Sequence, residues 1–382
     1  MYNIHSHYEN IFAFIKTIIT DPVLIYFYPF GSISYDNIEM MHCNGNGSSP
    51  IVLCFDQEPI ISNFENLIVN LGNTFTKHRH IIILNTEPDS QIKNSIISKL
   101  KLDNYRLQEC SYFFHIFAAA DWYRGFRFNT EIIDPARRKI SKKYISFNRI
   151  TGNSRAYRGI FVANLIKKQL LELGHVSFSH VCPEHGEYSK SALDLITKHN
   201  VDQEIVYDAI ETLNSIKYNL RIDQIDQPFI HNTSQTITCI PQLMESFLYV
   251  VTETCFWEEK KHLTEKIFKP IVTKHPFVLV GCRGNLQYLK SYGFKTFDRW
   301  WDESYDNIQD PIERLNAVTH IVEKICSYDN IKLESMLVEM QDVLDYNFNL
   351  FYSKSLIDTA WSELTTNLQD VVKKYNLKLY QP

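Results

Sequence analysis

Five short, mostly apolar runs limit what this chain can fold into: IVLCF (51–55), HIIILN (80–85), KYISFN (143–148), SFLYVVTE (246–253) and PFVLVG (276–281). Each has the length of a strand and is followed, after a turn, by residues at helical spacing. Apolar runs of this kind alternating with helices indicate a largely parallel sheet covered on both faces. VLIYFYPF (23–30), HVSFSH (175–180) and FKTF (294–297) are further strand candidates, and NFENLIVNL (63–71) has helical spacing.

The runs fall into two series. One ends near SYFFHIFAAADWY, and the other begins near residue 143 with KYISFN, the polar turn NRITGNSR and a helix expected from Arg155 to Leu173, closed by Gly174. With 382 residues the chain is long enough for two domains. The expected division is an acceptor-side Rossmann-like domain over 1–140, a second Rossmann-like domain over 141–346, and a helical C-terminus over 347–382 that returns to the first. In doubly wound sheets ligands bind beyond the carboxyl ends of the strands. Two such domains facing across a cleft predict one substrate in each.

Hydrophobic residues make up 45% and charged residues 22%, a globular balance. No apolar stretch reaches the roughly 18 residues a membrane span needs, and MYNIHSHYENIF lacks the pattern of a secretion signal. Eight cysteines without a CxxC pair fit a reducing, cytoplasmic setting. Charge is unevenly spread. From Arg124 to Lys168, twelve Lys and Arg oppose only Glu131 and Asp134, so that stretch carries +10 and the rest of the chain −15. It reads either as a solvated basic face or as a site for phosphate groups.

Thr264-Glu265-Lys266 stands at an expected helix start, in HLTEKIFKPIVTKHPFVLVG. Thr264 suits an N-cap, and the helix would run to about Thr273. Amides at a helix start favour an anion such as a diphosphate, and Lys266 adds a full charge. Glu265 could accept hydrogen bonds from ribose hydroxyls. The alternative is structural: a first-turn Glu complements the helix dipole and the Lys is solvated.

The segment VVTETCFWEEKKHLTEKIFKPIVTKHPFVLVG resembles the donor-binding motif of the α1,3-fucosyltransferase family and related viral and bacterial glycosyltransferases. Glu253, Thr264, Glu265, Lys266, Pro270, His275, Pro276 and Gly281 carry the resemblance, which spans about 246–310. KYISFNRITGNSRAYRGIFVANL is similar to the start of that family's donor domain. The resemblance implies the two-domain glycosyltransferase-B arrangement and an inverting reaction without a bound metal or other cofactor. The co-substrate would be a GDP- or UDP-sugar. Lys274-His275 departs from the small residue usual before the family's last strand, which bears on the donor sugar.

Without a metal, charge developing on the leaving diphosphate must be met by cations and backbone amides. Lys266 and one of Arg149, Arg155 or Arg158 are the candidates, and the resemblance adds Glu253, Thr264 and Glu265 to the donor-binding set. An acceptor hydroxyl also needs a base from the first domain. Glu58 in FDQEP and Glu87 in NTEP each end an apolar strand and precede a proline that keeps them extended; either could equally be a helix-entry acid. Asp121 in AAADWYRG is a third candidate. Asp56-x-Glu58 loosely resembles the metal-binding Asp-x-Asp of the other major glycosyltransferase fold. His175, His180, Cys182 and His185 have spacings that suit a metal poorly. No GxGxxG, P-loop or HExxH occurs.

Three functions fit these features: transfer of a sugar to a glycan hydroxyl, transfer to hydroxymethylated bases in DNA, or nucleotide or carbohydrate binding without catalysis. The Asn-, Ile- and Lys-rich composition fits an AT-rich, viral genome, which would place the protein in the host cytoplasm. The DNA alternative uses the basic stretch for the phosphate backbone.

Overall fold

The structure, a computed structural model, describes residues 6–19, 22–27, 38–41, 50–55, 72, 80–103, 106–128, 134–135, 138–182, 185–216, 220–222 and 236–375. The chain is α/β, with parallel strands in both of its larger sheets. It divides into two compact units, one of Met1–Asp121, Lys260–His262 and Lys354–Pro382, the other of Trp122–Glu259 and Leu263–Ser353. The boundaries fall at Asp121 and Ser353, whereas the expected ones are 140 and 346.

The first unit opens with helix α1 (His7–Ile18), followed by strands β1 (Val23–Phe27), β2 (Ile38–Met41), β3 (Ile51–Phe55) and β4 (Ile81–Asn85). Helix α2 (Ile92–Leu100), strand β5 (Leu107–Ser111) and helix α3 (Phe114–Trp122) come next. The sheet order is β2-β1-β3-β4-β5, all parallel except β2, which runs antiparallel to β1. All five residues of β4 are buried because β4 has strands on both sides and apolar cover on both faces.

The second unit begins its sheet with β6 (Lys142–Ser146), then helix α4 (Tyr157–Lys167), β7 (Gly174–Val176) and a small antiparallel pair, β8 (Val181–Cys182) and β9 (Gly186–Glu187). Helices α5 (Tyr188–His199), α6 (Gln203–Asn214) and α7 (Ile240–Met244) lead to β10 (Ser246–Thr252). After helix α8 (Phe268–Val272) come β11 (Phe277–Val280), α9 (Asn285–Ser291), α10 (Pro311–Cys326) and α11 (Asn330–Phe351). The order β11-β10-β6-β7 is parallel throughout. The interior strand β10 is buried at all seven positions.

The chain then re-enters the first unit as α12 (Lys354–Lys374). Asn367 donates to the Ser111 carbonyl at 2.8 Å, and the Tyr375 hydroxyl donates to the carbonyls of Ile81 and Arg106, both at 2.7 Å. These bonds fasten α12 and the residue after it to the sheet edge formed by β5.

Three local expectations are corrected. The helix expected over 155–173 is a 3-10 turn (Asn153–Ala156) followed by α4, and Gln169 at φ +56 breaks the continuation. Gly174 closes a separate 3-10 turn (Leu171–Leu173) in extended rather than left-handed conformation and starts β7, where an added Cβ would stand 2.4 Å from the Tyr144 ring. FKTF is irregular; Phe294 and Phe297 are simply buried loop aromatics. The expected helix over 63–71 lies outside the described residues.

Candidate functional site

The turn that carries Thr264, Glu265 and Lys266 is held by a carboxylate. Glu253 follows β10 directly and is fully buried. It accepts hydrogen bonds from the Thr264 amide (3.1 Å), the Thr264 hydroxyl (2.7 Å) and the Thr254 amide (3.3 Å). Burial pushes the Glu253 carboxyl above the ordinary range, while the Lys266 charge and the Thr264 bonds pull it back. Glu253 thus shapes the turn from beneath.

Thr264 caps a 3-10 turn, Glu265–Ile267, its hydroxyl accepting from the Lys266 amide at 3.3 Å. The helix expected to start here and run to Thr273 is this turn followed by the five residues of α8. The Lys266 ammonium donates to Thr254 Oγ1 (3.3 Å), Thr264 Oγ1 (3.1 Å) and Glu265 Oε1 (3.2 Å). Its side chain keeps 31% of its surface, whereas the Glu265 side chain keeps 8%. The turn therefore presents a steered cation with a largely covered carboxylate beside it.

The arginines separate by role. Arg149 is exposed in the loop after β6, and Arg155 is half-buried in the 3-10 turn before α4. Arg158 is buried. Its guanidinium donates to the carbonyls of Ile150 (2.9 Å), Thr252 (2.7 Å) and Glu253 (3.0 Å). That makes Arg158 a clamp between the loop after β6 and the end of β10, so it does not serve as the expected diphosphate ligand. The neighbouring Tyr157 donates to the Glu253 carbonyl at 2.6 Å and stacks on Phe256 at 4.2 Å. Trp257 donates from Nε1 to the Ser154 carbonyl at 3.0 Å, which ties the Arg155 turn to the loop after β10.

Sequence reasoning missed three residues here. Arg283 is exposed in the GCRGN loop after β11. Arg314 is buried and donates to the carbonyls of Gly281 (3.1 Å), Ile308 (2.8 Å) and Phe256 (2.8 Å), bracing the same loops. Asn148, also buried, donates from its backbone amide to Ser177 Oγ at 2.8 Å and from its side chain to Ser146 Oγ at 2.9 Å, but its Oδ1 has no partner among the described residues. A loop with two glycines directly after an apolar strand was the available signal for Arg283. The strands β11, β10 and β6 are neighbours and parallel. Their carboxyl ends therefore bring Arg283, Lys266, Arg149 and Arg155 to one edge of the sheet, an arrangement suited to a polyanion.

The basic run does not form one face. Lys142 and Lys143 lie at the amino end of β6, where they bond to the Glu172 and Tyr328 carbonyls, each at 2.7 Å. Lys167 and Lys168, at the end of α4, pair with Asp208 and Glu323. Arg138 is buried and donates to the Thr273 carbonyl. Arg137 lies outside the described residues.

Lys274 and His275 are also placed away from the carboxyl ends. They precede β11, and His275 is buried between Thr273 Oγ1 (2.8 Å) and the Leu243 carbonyl (2.9 Å). Lys274 pairs with Asp345 at 2.5 Å. Both residues thus serve packing at the amino end of the sheet.

In the first unit, Glu58 and Asp56 lie outside the described residues. Asp121 is buried in the last turn of α3. Glu87 stands just beyond β4, its amide bonded to Asn85 Oδ1 at 3.1 Å and its buried carboxylate paired with Lys260 at 2.6 Å. His175 pairs with Glu245 at 2.7 Å, and His185 contacts Asn153 at 3.2 Å. Among the described residues no three His, Cys, Asp or Glu side chains gather as a metal site, and no helix is long and apolar enough to cross a membrane.

Comparison with protein families, with curated proteins and with solved structures finds no match to this chain.

Proposed function

We propose that the protein is an inverting, metal-independent glycosyltransferase of the two-domain glycosyltransferase-B type. It moves a sugar from a GDP- or UDP-sugar to a hydroxyl of a glycan. One observation carries this reading: Glu253 clasps Thr264 so that Lys266 is steered at the carboxyl end of β10, on the sheet edge shared with Arg149, Arg155 and Arg283. In this reading those cations hold the diphosphate, and Glu265 takes the ribose.

The reaction has one acid-base step and one displacement. Glu87 takes the proton of the acceptor hydroxyl as its O–H bond breaks. The oxygen bonds to the anomeric carbon on the face opposite the leaving group, inverting it. The bond from that carbon to the diphosphate oxygen breaks, and its electron pair leaves on the diphosphate. Fixed cations meet that charge where it develops, which is where electrostatic catalysis is largest.

The test is sugar transfer from GDP- and UDP-sugars to a panel of glycans, with and without EDTA. Nucleoside diphosphate release that survives EDTA supports the reading. Release abolished by EDTA and restored by manganese moves the reading to the Asp56/Glu58 alternative. Diphosphate binding without release from any donor supports a binding protein that lacks catalysis.

A second reading has DNA as the acceptor. It draws on the 3-10 turn Arg124–Phe128, where Arg124, Arg127 and Phe128 are exposed, Phe128 by 74%. Two arginines beside an open ring suit phosphate contact and base stacking. Transfer to hydroxymethylated duplex DNA that weakens steeply with salt selects this acceptor.

A further inference from the structure

The loop between β10 and the Thr264 turn contributes three residues to the first unit: Lys260, Lys261 and His262. They lace along the segment Thr86–Asp89, just beyond β4. Lys260 Nζ meets Glu87 Oε1 at 2.6 Å. The Lys261 amide donates to the Pro88 carbonyl at 3.0 Å, and its side chain pairs with Asp89 at 2.8 Å. The His262 ring meets the Thr86 carbonyl at 3.3 Å. Three consecutive residues thus bracket Glu87 on both sides.

The pair at the centre is closed to solvent, with 1% of the Glu87 side chain and 7% of the Lys260 side chain exposed. A buried ion pair is a poor source of stability, since desolvation of both charges offsets their attraction. A buried carboxylate without a counter-charge favours its protonated form and cannot act as a base. An ammonium supplied to one carboxylate, at a parallel strand's carboxyl end, fits a catalytic requirement better than a packing one. Other titratable groups stand nearby. His115 comes from α3, its ring 5.8 Å from that of His262. Asp89 and Lys261 offset one another. Glu109 on β5 is engaged by Asn85 and Ser90. Among these described groups, Lys260 meets the Glu87 carboxylate directly.

We propose that Lys260 is a positioning residue for Glu87: it holds the carboxylate ionised and fixed in direction, ready to accept the acceptor's proton. The proposal rests on the reading of Glu87 as the base. Lys260 itself neither gains nor loses a proton in the step. The proton passes from the acceptor hydroxyl to the carboxylate.

The experiment is the pH profile of transfer by wild type and Lys260→Met, beside the 13C titration of the Glu87 carboxyl in both, assigned with Glu87→Gln. At pH 7 the variant is expected to lose at least tenfold in kcat with the donor KM unchanged, and to recover toward wild type as pH rises to about 9, because the base then ionises without help. A loss that does not recover, or no loss, overturns the proposal. If Glu87→Gln transfers at the wild-type rate, the base assignment has failed. The carboxyl titration then judges Lys260 alone: movement to higher pH in Lys260→Met supports its hold on the carboxylate, and no movement overturns it. If Lys260→Met does not fold, the wild-type profile decides. A low-pH limb in the ordinary carboxylate range supports the proposal, and a limb near neutrality overturns it.

Discussion

Replacing Thr264 by Val leaves the volume of the turn almost unchanged and removes one hydroxyl. That hydroxyl donates to the buried Glu253 carboxylate at 2.7 Å and accepts from the Lys266 amide at 3.3 Å and the Lys266 ammonium at 3.1 Å. A hydrogen bond to a charged group is worth about 1.5–3 kcal/mol. The cap bond is long and adds less than the roughly 1 kcal/mol of a good N-cap. The expected loss is about 2–3 kcal/mol, concentrated in the second unit. For a unit of this size each kcal/mol lowers Tm by about 2–4 °C, so its transition should fall by about 4–12 °C. Thr264→Ser keeps the hydroxyl and is the control. Differential scanning calorimetry on wild type and both variants reads the effect, and titration with GDP and UDP reads whether Lys266 is still steered. A Thr264→Val protein melting within about 1 °C of Thr264→Ser would refute the clasp.

The remaining predictions concern clamps, close approaches and titration. Arg158→Ala should destabilise the second unit by about 2–4 kcal/mol, because two buried carbonyls and one part-buried carbonyl lose their donor; a loss of diphosphate binding with unchanged denaturant stability would contradict the clamp. Gly159→Ala places a Cβ 2.1 Å from the Tyr188 ring, and urea unfolding should show a loss of about 1–3 kcal/mol. His7 is fully buried beside Tyr112, its Nε2 2.7 Å from the tyrosine hydroxyl, and burial lowers its ring to about 3. The unfolded ring takes a proton near about 6.5 and the folded ring does not. Stability is therefore lost as pH falls from about 6.5 toward 3, by about 2 kcal/mol at pH 5. Denaturation of His7→Phe at pH 7.5 and 5 should lack that increment; an equal increment in the variant would contradict the assignment.

Legibility in the sequence followed burial. The interior strands β3, β4 and β10 are buried throughout their described positions, and they stood out as apolar runs. LQECS (107–111) did not, because β5 is an edge strand with only Leu107 and Cys110 buried. Its cover, α12, comes from more than two hundred residues away. IEMM was hidden likewise as an antiparallel edge strand. FKTF shows the opposite failure: buried aromatics at a spacing of three pack from a loop as well as from a strand.

The turn at Thr264 was readable because capping is local, with the cap hydroxyl and the amide it accepts two residues apart. The Glu253 clasp spans eleven residues and depends on the course of the intervening loop. Charge alone did not tell Arg158, buried against carbonyls, from Arg149, open at the strand end. Nor did it reveal that the basic run divides between two ends of one sheet, since α4 carries Lys167 and Lys168 back to the amino end of the strands.

The most direct test of the account is calorimetric titration of GDP and UDP onto wild type and Lys266→Ala, in buffer free of divalent metal. The account predicts binding of at least one diphosphate by the wild type and a loss of affinity of about tenfold to a hundredfold in the variant, the worth of one charge-assisted bond of roughly 1.5–3 kcal/mol. Wild-type binding of neither nucleotide, or equal binding by both proteins, would contradict it.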